Sequence, residues 1–146
     1  MPTLPLLLEN LVRVYGHGAE VEVAKRLMEF LSLHTTTTHI TIHLVRQLTP
    51  GASSGKMDGS IVKALQFLAG DSVRLLDTKF EVIDSQDQPH DLTDEEAQAA
   101  ISHQIDPVTG ELDPGIGERL TVYFSPTPEA FGVLRDFPTL NARGAP

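Results

Sequence analysis

The sequence predicts an α+β fold: an αα-hairpin over 3–33, then a three- to four-stranded mixed sheet within 35–135 with helices mainly on one face. Residues 1–135 read as a single domain and 136–146 as an extended tail. Three observations carry this. Stretches with the 3.6-residue period of a helix and stretches with the two-residue period of a strand occur along the same chain. The three strand-like stretches alternate apolar with polar residues, so each has one covered and one open face, unlike the apolar runs of a doubly wound parallel sheet. The linkers between them are long and each carries a helix, which allows right-handed crossovers between parallel strands.

Taken in order, Leu4, Leu7, Leu8, Leu11, Val14 and Tyr15 recur at helical spacing, with Glu9, Asn10 and Arg13 on the other side. Thr3 can cap this helix, and Pro5 is tolerated in its first turn. Over 19–33, Val23, Ala24, Leu27, Met28, Phe30 and Leu31 form one face, and Glu22 stands four residues before Arg26 on the other. Gly16-His17-Gly18 joins the two helices; Val21 stands where a dinucleotide loop has its third glycine, so a helix end is the sufficient reading.

The stretch 35–48 reads as the clearest strand. Ile40, Ile42 and Leu44 alternate with His39, Thr41 and His43, and β-branched residues dominate. A loop follows, and Ser60 is expected to cap a helix whose core stripe is Ile61, Val62, Leu65, Leu68 and Ala69, ending at Gly70. The second strand is expected over 73–84, with Leu76, Thr78, Phe80 and Val82 on one face and Asp77, Lys79 and Glu81 on the other. Residues 84–91 read as a loop. Thr93-Asp94-Glu95-Glu96 is a capping box that opens a helix to about Ser102. Ile105 to Leu112 reads as a turn between two short extended arms, because Pro107 presets one torsion and Gly110 takes the left-handed one. The last strand, 118–125, alternates Leu120, Val122 and Phe124 with Arg119, Thr121 and Tyr123, and a short helix is expected over 129–135.

With 146 residues the folded chain exposes about 7,000 Å² against about 23,000 Å² unfolded, enough burial for a self-sufficient core. There is no cysteine, so neither disulfides nor thiolate metal ligands are available. The apolar run at the start stops at Glu9 without a basic region before it, so neither a signal peptide nor a membrane span is expected there. Charge is distributed unevenly: residues 1–80 hold eight Lys/Arg and seven Asp/Glu, residues 81–146 three and thirteen. Between Lys79 and Arg119 lie eleven carboxylates and no basic residue. Such a block repels phosphate backbones and argues against direct nucleic-acid binding; it suits a solvated face or a basic protein surface.

Each candidate site has a plainer explanation. Ser53-Ser54-Gly55-Lys56 lies between a strand-like stretch and a helix, the context of a phosphate loop. Only three residues separate Gly51 from Gly55 where that loop has four, however, and Met57 replaces its Ser/Thr. On a strand, His39 and His43 would stand about 13 Å apart, too far to share a zinc ion at about 2.1 Å per bond; Asp77 and Glu81 are the visible candidates for further ligands. Asp84, Asp87 and Asp91, and Asp106, Glu111 and Asp113, lack the ligand spacing of a calcium loop. His34 and His103 sit at helix ends, where a cation is favourable without any catalytic role. Ser53 and Ser54 have no identifiable base for nucleophilic catalysis.

These patterns favour a non-catalytic protein-interaction or assembly subunit of a larger complex, joining copies of itself or other chains. Thr37, His39, Thr41 and His43 form the expected interaction face, and Ser53, Ser54, Gly55 and Lys56 an anion loop. No cofactor, metal or membrane partner is expected, and the cytoplasm or a virion is the expected location. The alternatives are a small enzyme or ligand-binding domain using the His/Thr face, and an acidic mimic of nucleic acid that blocks a DNA-binding protein.

Overall fold

The structure, a computed structural model, describes residues 3–135 and 137. It is α+β. Its helices are α1 (Leu4–Tyr15), α2 (Ala19–Leu33), α3 (Ile42–Leu48), α4 (Asp58–Ala69), α5 (Asp94–His103) and α6 (Ala130–Leu134), with a 3-10 turn at Ile116–Glu118. The strands β1 (Leu76–Ile83), β2 (Pro89–Leu92) and β3 (Leu120–Pro126) form one sheet in the order β2-β1-β3. Among the described residues no helix is long and apolar enough to cross a membrane. The chain divides into two compact units, one of residues 1–77 and 124–146, the other of 78–123. It leaves the first unit within β1 and re-enters it within β3.

The first unit is built around α2, which contacts α1, α3, α4 and α6. Leu27, Met28 and Leu31 of α2 and Ile61, Leu65 and Leu68 of α4 are fully buried. Each such side chain contributes about 1.5–3 kcal/mol of hydrophobic stabilisation. Leu4, Leu7 and Leu11 of α1 join this core, whereas Val14, expected on the same face, is exposed. Gly16 ends α1 at φ +65, and its amide bonds the carbonyl of Val12 at 2.7 Å. Thr3 is the N-cap residue but makes no side-chain cap bond. The expected 136–146 tail lies outside the described residues apart from Phe137, which is buried in this core.

The strand expected over 35–48 is not formed. Ile40 makes an isolated antiparallel bridge to Phe124, with N–O distances of 2.7 and 2.9 Å, and from Ile42 the chain is helical. The reason is local. The hydroxyl of Thr41 accepts the amide of Leu44 at 3.1 Å, a helix N-cap that β-propensity does not match. Ile42, Val45 and Leu48 then fall on one helical face, and a short apolar run satisfies either period. The following helix starts at Asp58, ahead of Ser60. Asp58 lies in the first turn, where a carboxylate is favoured, and takes both Nε and an Nη of Arg46 from α3, at 2.8 and 2.5 Å.

The second unit holds its own small core of Val82, Ala100 and Ile116, with Leu92 and Leu120 against it. β1 and β2 pair antiparallel, Phe80 opposite Leu92 and Ile83 opposite Pro89. β2 lies within residues expected to be a loop; the turn is a three-residue hairpin with Asp87 left-handed at φ +60. The Asp84 carboxylate organises it by accepting the amides of Gln86 at 2.8 Å and Gln88 at 2.9 Å. β3 is also antiparallel to β1: Ile83 N bonds Arg119 O at one end, and Thr127 N bonds Leu75 O at the other. The sheet is therefore antiparallel throughout and not mixed. The helical crossover joins β2 to β3, which are not neighbours, because the tight hairpin places β1 between them.

Candidate functional site

Unit 78–123 carries an apolar groove, and local sequence signals place its walls. Thr93 accepts the amide of Glu96 at 3.1 Å, and Glu96 accepts the amide of Thr93 at 3.0 Å. This capping box starts α5 one residue after β2 ends. Gln104 ends the helix in the left-handed conformation, φ +55 and ψ +37. Ala97 and Ala100 are buried, and their small side chains let α5 lie close to its neighbours β2 and the 3-10 turn. Ile101, one residue further on, is 60% exposed.

On the strands, Phe80 shares a face with Val82 and Val122 with Leu120, by the two-residue period. Val82 is covered; Phe80 is half-buried and Val122 is 42% exposed. The uncovered apolar surface forms a groove of about 360 Å³ lined by Phe80, Ile101, Gln104, Ile116, Leu120 and Val122 among others. A second depression of about 280 Å³ shares Phe80 and Ile101 and reaches Asp94 and Gln98 on α5. Among the described lining residues there is no basic side chain. The chemistry on offer is hydrocarbon with a few carboxamides and one carboxylate, which suits burying another molecule's apolar side chains.

Several polar groups of this unit hold its loops and strands. Arg119 donates to Asp106 at 3.2 Å, to Asp113 and to the carbonyl of Ile83 at 3.2 Å. Burial raises the Asp106 pKa, but the amide of Val108, the guanidinium of Arg119 and the amide of Thr109 outweigh it and hold the carboxyl below its ordinary value. The Asp106–Asp113 stretch thus closes on a protein cation, the guanidinium of Arg119. The turn within it forms as expected, with Ile105 bridged to Leu112 and Gly110 at φ +77. Asp84 bonds His90 Nε2 at 2.7 Å; that bond first, then the amides of Gln88 and Gln86, keeps its pKa low against the opposing effect of burial. Tyr123, 6% exposed, donates to Asp91 at 2.9 Å. Burial, the bond to Asp91 and the charges of Asp91 and Glu81 push its phenol up to about 12.

The residues singled out from the sequence lie elsewhere. Thr37, His39, Thr41 and His43 do not share a strand face: Thr37 and His39 precede the Ile40 bridge, Thr41 caps α3, and His43 is exposed on that helix with Nε2 3.3 Å from Gln47 Nε2. Thr38 Oγ1 lies 3.1 Å from His39 Nδ1. Ser53, Ser54, Gly55 and Lys56 lie in a run of turns in which the amides of Ala52, Gly55 and Asp58 bond the carbonyls of Thr49, Ala52 and Gly55. Asp58 already occupies the start of α4 there. His34 stacks on Phe30 with ring centroids 4.2 Å apart. The groove was missed because its lining is scattered over four elements. The usable signal was Ile101, an apolar residue one position beyond the Ala97–Ala100 stripe of a helix that is otherwise polar.

Charge adds a second property. Unit 78–123 contains the eleven carboxylates together with Lys79 and Arg119, eleven against two, a formal charge of −9. The whole chain also carries −9, so the remaining residues balance, with nine basic and nine acidic side chains. Fold and site together define an α+β protein whose acidic unit carries an open apolar groove. Comparisons with protein families, with curated proteins and with solved structures find no match to this chain.

Proposed function

We propose that this chain is a non-catalytic protein-interaction subunit of a larger complex, with unit 78–123 making the contact. The observation that carries the reading is the groove between α5 and the sheet, where Ile101 and Val122 remain exposed beside Phe80. Contiguous exposed apolar surface within a strongly acidic unit is the kind of surface that another chain covers. The test is affinity purification of the tagged chain from its source cells, with the mass of the complex determined, beside an Ile101→Asp variant. A defined partner held by the native chain and lost by the variant is expected. A native chain that runs at its own mass, or a partner held equally by the variant, rejects the reading.

A second reading, the acidic mimic of nucleic acid, is supported by a separate observation: the entire net charge of the chain falls within 46 residues of sequence. It requires binding to a basic DNA-handling protein that weakens steeply between low and high salt. Binding of such a protein that is insensitive to salt excludes it.

A further inference from the structure

We infer that the occupant of the groove is a segment of another protein that presents apolar side chains flanked by lysine or arginine. This rests on the interaction reading above and names its partner class. The volumes of the two depressions, about 360 and 280 Å³, suit a few side chains laid along a line from Val122 past Phe80 and Ile101 to Asp94. Both are open along one side, so a small molecule would leave much of its surface in water, whereas a polypeptide continues past the rim.

Electrostatics then selects the flanks. The groove opens on a unit of formal charge −9; Asp94 lines the second depression, and Glu118 follows Gly117, which lines the first. Basic flanking residues would lie within a Debye length, about 10 Å at 0.1 M salt, of these carboxylates. A second copy of this chain is disfavoured as the occupant. Groove against groove would oppose two units of −9, and the balanced remainder of the chain offers no net countercharge. Nucleic acid is disfavoured for the same reason.

The test uses the full chain and fluorescein-labelled synthetic peptides. Two peptides carry the same leucines at helical spacing, with the remaining positions lysine in one and glutamate in the other. Fluorescence anisotropy is read at 50 and 300 mM NaCl. The lysine peptide should bind at least tenfold tighter than the glutamate peptide and weaken at least tenfold at the higher salt. Ile101→Ser with Val122→Ser, both at exposed positions, should cost at least another tenfold while the thermal melt is unchanged. Amide shift mapping of the native chain provides a measurement free of substitutions, and the perturbed signals should centre on Phe80, Ile101, Gln104 and Val122. Equal binding of both peptides overturns the partner class while leaving the groove an interaction site. Lysine-peptide binding that ignores the double variant and maps elsewhere overturns the docking itself. If neither peptide binds, the inference falls, and the interaction reading is judged separately by the purification experiment.

Discussion

Tyr123 donates its hydroxyl to Asp91 at 2.9 Å, a bond from β3 to β2 that passes over the central strand β1. Beneath it Glu81 of β1 is paired directly opposite Asp91. Like charges so placed repel, and a donor on one of them eases the pairing. Tyr123→Phe removes that donor, and the expected loss is about 2 kcal/mol, as for a hydrogen bond to a charged acceptor. Urea unfolding of the two proteins measures it. The phenol is pushed up to about 12 from an ordinary 10.0. Because the folded pKa is the higher one, this contribution is intact below pH 10 and is lost as pH rises through about 12. Ultraviolet titration of tyrosinate should show a late step that is missing in Tyr123→Phe.

Acid acts on a different clamp. Arg119 binds Asp106 and Asp113, and the Asp106 carboxyl is held below its ordinary value. Its contribution is therefore present above the unfolded carboxylate pKa, about 3.9, and lost as pH falls through the lowered folded value. Arg119→Gln should flatten the acid limb of the melting-temperature profile below about pH 4 and lower the melting temperature at pH 7. Identical acid limbs in both proteins would show that the clamp does not contribute.

The α5 capping box offers a local test. Thr93→Ala should cost about 1 kcal/mol, the usual value of an N-cap side chain. Hydrogen exchange should quicken at Glu95 to Ala97 before it does in α2. Since α5 forms one wall of the groove, the same variant should weaken any groove-bound peptide, whereas Thr41→Ala, which uncaps α3, should not.

The two cores differ in depth. The apolar cluster of unit 78–123 is built on three buried side chains, Val82, Ala100 and Ile116, against a long contiguous cluster in the first unit. Ile116→Ala is expected to cost about 2–5 kcal/mol, enough to open the smaller unit. Amide protection should then be lost over Thr78 to Tyr123 and kept in α2 and α4. Uniform loss across the chain would show that the cores unfold together.

Helices with strong local signals were legible from sequence. α2 is legible in its face of Val23, Ala24, Leu27, Met28 and Leu31, and α5 in Thr93 and Glu96, since both depend on neighbours within four residues. β1 and β3 followed from alternation. The strand expected over 35–48 failed because Ile42, Val45 and Leu48 fit a helix as well as Ile40, Ile42 and Leu44 fit a strand, and the Thr41 cap decided the outcome. β2 was hidden by its polar composition, although Asp87 ahead of Pro89 is a hairpin signal in retrospect.

By itself, the sequence determined the α+β class, the long helices with their caps, and a run of carboxylates unbroken by any basic residue between Lys79 and Arg119. Tertiary structure alone decided where those carboxylates go. Asp106 and Asp113 close on Arg119 and Asp91 receives Tyr123, by contacts across distances in the chain that no local period encodes, whereas Asp84 organises its hairpin locally through the amides of Gln86 and Gln88. It also decided the groove. Phe80, Ile101 and Val122 are ordinary apolar residues in their own segments, and they become one exposed surface because small alanines bring α5 down onto the sheet without covering all of it.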